Sequence, residues 1–111
     1  MKNQKVYNSK CFQTRIYLFE HEGNLYVGST NNYKERMWAH NQHMKQEKHN
    51  NCQFYKYCNS VGIKDVRPFM HTLQAFSGKL DKQTLLHLEA DYIDEYCPNL
   101  NHIYPVARPR T

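Results

Sequence analysis

The feature that most constrains this chain lies near its start. Two short β-prone runs, Arg15 to Glu20 (RIYLFE) and Leu25 to Ser29 (LYVGS), are separated by His21-Glu22-Gly23-Asn24. That spacer is turn chemistry between apolar stretches, so the segment reads as a β-hairpin. Its register then decides which side chains meet. If the turn pairs Phe19 with Tyr26, then Tyr17, Phe19, Tyr26 and Gly28 share one face, with Gly28 opposite Tyr17 and open space before its hydroxyl. A one-residue slip would put the tyrosines on opposite faces.

Helix signals follow at once. Asn32, with Glu35 three residues on, can form a capping box, and the helical pattern runs to about Lys48. A shorter helix is expected over Gln53 to Ser60, stopped near Gly62. Arg67 to Phe76 reads as a third strand, with Pro68 confined to its start or to an edge. After Ser77-Gly78 comes the longest helix, from about Asp81 to Tyr96, ended by Pro98. The predicted order β-β-α-α-β-α gives an α+β domain, a small three-stranded and largely antiparallel sheet flanked by helices. Residues 1–12 read as a flexible basic N-terminal arm, 13–104 as the domain and 105–111 as an extended tail. A length of 111 residues suits one core and leaves no room for a second.

Charge speaks to partners rather than to fold. Fifteen Lys and Arg stand against ten Asp and Glu, a net charge of +5, which favours an anionic partner. The charge is uneven. Lys2, Lys5, Lys10 and Arg15 precede the first acid, Glu20, whereas Asp81 to Glu95 carries five acids and one Lys. Four cysteines form no CxxC pair. His40, His43, His49, Cys52 and Cys58 give H-x2-H and H-x2-C spacings but no pair of tight knuckles, so a zinc site is not expected. The sequence has no signal peptide, transit peptide or apolar run of membrane-spanning length. We therefore expect an intracellular protein, cytoplasmic or (in a eukaryote or virus) nuclear, with reduced thiols and no membrane contact.

The chemistry first shows as a violation of pattern. On the last helix Leu85, Leu88, Tyr92, Ile93 and Tyr96 make one apolar stripe, and Glu89 falls in its middle, while Asp91, Asp94 and Glu95 lie on the far side. An isolated carboxylate is expensive to bury, so it pairs with a cation, takes up a proton or binds a metal. On the first helix Tyr33, Met37 and Met44 make the stripe, with Arg36 and His40 at i, i+4 on its shoulder. Those two either face a phosphate in a cleft or are a snorkelling Arg and a hydrogen-bonded core His.

Taken together, Arg15-Ile16-Tyr17, then Tyr26-Val27-Gly28-Ser29-Thr30, then Arg36 ten residues past Tyr26, resemble the signature of the GIY-YIG endonucleases. The block YVGSTNNYKERMWAH carries most of the specificity. Glu89 in HLEADYIDEY matches the family's metal-binding Glu, and Asn101 in CPNLN matches its Asn. The similarity spans about Thr14 to His102. Two positions depart from the pattern: Arg15 stands where the family has the Gly of GIY, and Ser29 where some members have Lys.

The resemblance implies hydrolysis of phosphodiester bonds in DNA (or RNA) by a one-metal mechanism. Glu89 would hold a single Mg2+ or Mn2+, and Tyr17 would be the general base, with Tyr26 orienting water or supporting Tyr17. Arg36 would neutralise charge on the phosphate, helped by His40, which would relay protons or contact phosphate. Asn101 would brace the site. Lys34, Arg36, Lys45 and Ser29 are the candidate nucleic-acid contacts. The alternative is a nucleic-acid-binding module that keeps the fold without catalysis. With no length left for a separate DNA-binding domain, such a protein would cut with low sequence preference, form a homodimer or rely on a targeting partner.

Overall fold

In a computed structural model, residues 12–46 and 52–101 are described. The expected basic arm, apart from Phe12, lies outside those residues. So do Lys48, His49 and the tail from residue 102 onward.

The hairpin consists of β1 (Thr14–His21) and β2 (Asn24–Thr30), joined through Glu22 and Gly23. Both turn residues have positive φ, 50° and 83°, as a two-residue type I′ turn requires. Gly23 adopts that conformation at no steric cost. The pairing is Phe19 with Tyr26 and Tyr17 with Gly28, which excludes the slipped register. The chain continues through α1 (Tyr33–Met44) and α2 (Gln53–Ser60). A 3-10 turn (Arg67–Phe69) then leads into β3 (Met70–Phe76) and α3 (Lys82–Tyr96). The sheet order is β2-β1-β3, antiparallel throughout, so β1 is central and the α+β architecture agrees with the sequence pattern.

Local signals place most boundaries. Asn32 caps α1 by accepting from the Glu35 amide at 3.2 Å, and Asp81 caps α3 by accepting from that of Thr84 at 3.1 Å. At its other end α3 stops on Cys97, whose φ of 47° is left-handed, immediately before Pro98. Two expectations need correction. The first helix ends at Met44 rather than near Lys48, because Met44 is the last residue of its buried stripe and Asn59 Nδ2 donates to its carbonyl at 3.0 Å. The third strand starts at Met70 rather than Arg67. Pro68, with φ fixed and no N–H to give, sits in the preceding 3-10 turn.

Alternation along β1 divides the core into two layers. Tyr17 and Phe19 face α1 and α2, packing with Met37, Met44, Phe54 and Val66. Ile16 and Leu18 face the other way, with Val27, against Leu85 and Ile93 of α3. The helices therefore cover opposite faces of one sheet. No described helix is long and apolar enough to cross a membrane.

Candidate functional site

Tyr17 sits at the centre of the middle strand and is fully buried. Opposite it, Gly28 leaves room that the tyrosine's own ring fills, so the space before the hydroxyl is not open. A Cβ on Gly28 would lie only 2.7 Å from Tyr17 Cε1. Any side chain there would displace the ring, which makes this glycine a packing requirement.

The Tyr17 hydroxyl is 2.8 Å from His40 Nε2, and His40 Nδ1 is 2.8 Å from the Tyr55 hydroxyl. Tyr55 in turn lies 3.5 Å from His43 Nδ1. His40 itself has no exposed surface. Burial first, then the positive charge of Arg36, holds His40 well below its usual 6.5, so at neutral pH its ring is uncharged. A neutral imidazole has one N–H and one lone pair. It can therefore accept from one phenol and donate to the other, and the four side chains form a directional chain from the core to half-buried His43.

Tyr26, two residues before Gly28 on the same face, is half-buried and stacks on Phe54 with centroids 4.1 Å apart and planes 5° from parallel. Its ring centroid is 6.4 Å from that of Tyr17. Burial raises both phenols well above their usual 10, and each is raised further by a neighbouring acid: Tyr26 for Tyr17, Glu89 for Tyr26. Arg36 acts against this. The positive charge of its guanidinium lowers both phenols.

Glu89 is 9% exposed on α3, in the middle of the apolar stripe. It comes from the layer opposite the tyrosines. Its carboxylate nevertheless acts electrostatically on Tyr17 and Tyr26, and feels Arg36, across edge strand β2. Ser29 Oγ donates a short hydrogen bond to Glu89 Oε1. Among the described residues no ion pair involves Glu89. Burial raises the carboxyl from its usual 4.5 to about 7, against the lowering effects of Ser29 and Arg36.

Among the described residues no three His, Cys, Asp or Glu side chains cluster to hold a metal ion. One buried, unpaired carboxylate fits a hard ion such as Mg2+, which keeps several waters and takes substrate oxygens as its other ligands. It does not fit zinc, which needs three or four protein ligands.

Asn101 supports the outer edge of β2. Its Oδ1 accepts from the Val27 amide at 2.8 Å and its Nδ2 donates to the Val27 carbonyl at 2.9 Å. Asn99 Oδ1 and the Leu100 amide bond Leu25 in the same way, at 2.8 and 2.9 Å. The segment after α3 thus takes the place of a fourth strand beside the strand that carries Tyr26 and Ser29.

The structure therefore brings Tyr17, Tyr26, Arg36, His40, Ser29 and Glu89 together. Lys34 and Lys45 stand apart, on another flank of α1, in a groove of about 530 Å3. Sequence reasoning missed Tyr55, Phe54 and His43. All three take their place through tertiary contact between α1 and α2, which no spacing within either helix reveals. Arg15, at the position of the family's glycine, is buried; its Nε donates to the Phe12 carbonyl at 2.7 Å and its guanidinium lies 4.1 Å above the Tyr33 ring.

No curated protein and no solved structure matches the chain. A family model, the GIY-YIG catalytic domain, matches residues 13–102. That match takes in every site residue above, and it spans most of the chain. The protein belongs to the GIY-YIG catalytic domain family and has its nuclease-type fold.

Proposed function

We propose that the protein is a divalent-metal-dependent endonuclease that hydrolyses phosphodiester bonds in DNA at the site formed by Tyr17, Arg36 and Glu89. The observation that carries this reading is Glu89: a buried carboxylate with no cationic partner among the described residues, beside two phenols and a guanidinium. A structural carboxylate in such a place would be expected to have a Lys or Arg against it.

Glu89 would hold the metal ion, and Ser29, donating to one carboxylate oxygen, orients it. A bound Mg2+ or Mn2+ supplies Lewis-acid polarisation of the scissile phosphate. The chain's own groups do the rest. Arg36, half-buried, keeps its charge at any working pH and offsets negative charge developing on phosphate oxygens.

Tyr17 would be the base, and a proton relay from its hydroxyl supports that role. A phenol raised above 10 is a poor reservoir of phenolate at neutral pH. Bonded to a neutral imidazole, however, it can take a proton from water while passing its own to His40 Nε2. His40 then gives its Nδ1 proton toward Tyr55 and His43. Water loses one proton, each relay member gains one and gives one, and His43 carries the last to the surface. Both ring nitrogens of His40 are engaged by phenols, Nε2 by Tyr17 and Nδ1 by Tyr55, which favours this relay role over direct contact with phosphate. Tyr26 keeps Tyr17 in place and contributes its hydroxyl on the same face.

Plasmid and single-stranded DNA incubated with Mg2+, Mn2+ or EDTA test the reading. Cleavage should need the metal and be lost in Glu89→Ala, with DNA binding retained. Tyr17→Phe, which deletes only the hydroxyl, should cut turnover by about a hundredfold or more while leaving the chain folded. A Glu89→Ala protein as active as the parent would refute the assignment.

A further inference from the structure

A broad groove lies not at the Tyr17–Glu89 centre but beside it, along α1. Tyr33, Met37 and Trp38 give it apolar walls; Lys34, Lys45 and Lys64 line it with charge. Among the described residues none of these lysines is in an ion pair. The groove's one acid, Asp65, is taken by Arg67 at 2.8 Å. Trp38, the chain's single tryptophan, is 64% exposed, the largest exposed apolar side chain among the described residues. Trp38 also borders a second hollow, lined by Arg36 and Glu35, so the indole stands between the groove and Arg36.

From this geometry we infer that the groove binds an unpaired DNA strand, with a base stacked on Trp38 and the flanking phosphates on Lys34, Lys45 and Lys64. A duplex would satisfy the lysines but not the indole, since its bases are already stacked and offer no free face. An apolar ligand would satisfy the indole but not the three ammonium groups, and an acidic peptide would pair with the ammonium groups but offer the indole no row of flat ring faces. Only an unpaired strand offers ring faces and regularly spaced phosphates together. Arg15 strengthens the wall: held over Tyr33, it places a cation beneath the ring that the strand would lie against. The substrate would then be single-stranded DNA, or a branched structure whose free strand lies in the groove and leads the scissile bond toward Arg36. The inference rests on the nuclease reading for that last step alone, because binding can be measured without cleavage.

The test uses the full chain carrying Glu89→Gln, in EDTA. With one tryptophan in the protein, its emission reports the groove directly. An oligothymidylate of about twelve nucleotides should quench it, and a duplex of equal length should do so at least about tenfold more weakly. By fluorescence anisotropy of a labelled strand, Trp38→Ala should weaken binding by about fivefold to a hundredfold, Trp38→Phe should recover most of it, and Lys64→Ala should weaken it about threefold or more at low salt. Equal quenching by duplex and single strand, or unchanged affinity in both Trp38→Ala and Lys64→Ala, would overturn the proposal even if the parent cuts DNA. Strand binding that depends on Trp38 in a protein that never cleaves would uphold the groove and refute the nuclease reading instead.

Discussion

Glu89 binds its proton more tightly in the folded protein than in the unfolded chain, because burial raises its carboxyl from 4.5 to about 7. The consequence for stability has a definite sign. Below about 4.5 the group is protonated in both states and costs nothing. Between 4.5 and 7 the unfolded chain ionises first, and above 7 the folded protein carries a buried charge at a cost on the order of 3 kcal/mol. Glu89→Gln cannot ionise. In EDTA it should be more stable than the parent by about 2–3 kcal/mol at pH 8 and by little at pH 4, as read from urea unfolding at each pH. Mn2+ should raise the parent's melting temperature at pH 8 and leave that of Glu89→Gln unchanged. A stability gap that does not vary with pH would mean that the carboxyl is not the buried charge.

On the scale of elements, edge strand β2 depends on what covers it. Val27 is fully buried, and both its backbone groups are satisfied by the Asn101 side chain rather than by another strand. Asn101→Ala leaves a buried N–H and C=O without partners, which should cost about 2–4 kcal/mol. The loss should appear as faster amide exchange at Val27 while the amides of β1, held by β3 as well, stay protected. Equal deprotection of both strands would show that the edge is held by something else. The same elements show what the sequence made legible. The sequence pattern offered the register that puts Tyr17, Tyr26 and Gly28 on one face but also allowed a one-residue slip; the positive φ of both Glu22 and Gly23, which makes the turn two residues long, is what decides between them. The pattern of α3 did isolate Glu89. What it could not say was that α3 covers the face opposite the tyrosines, since an apolar stripe does not state which side of a sheet it meets. Nor could it say that α2 turns Tyr55 onto His40, because that contact depends on how two helices cross.

For the whole molecule, the net charge of +5 is less informative than where it is free to act. Arg67 is cancelled by Asp65, and Arg15 is buried over Tyr33. Within the groove that leaves Lys34, Lys45 and Lys64, and the proposed phosphate contact of Arg36 adds a fourth cation. Four cations that each displace a counterion from a single strand predict a slope of log K against log salt of about −2.8. Lys45→Ala together with Lys64→Ala should reduce that slope to about −1.4, since two phosphate contacts are removed. Lys82, exposed at the start of α3, serves as the control. If the protein merely attracted DNA through its overall charge, losing Lys82 would change the slope as much as losing one lysine of the groove. If the strand follows the groove, Lys82→Ala should leave the slope where it was, because a charge that touches no phosphate releases no counterion.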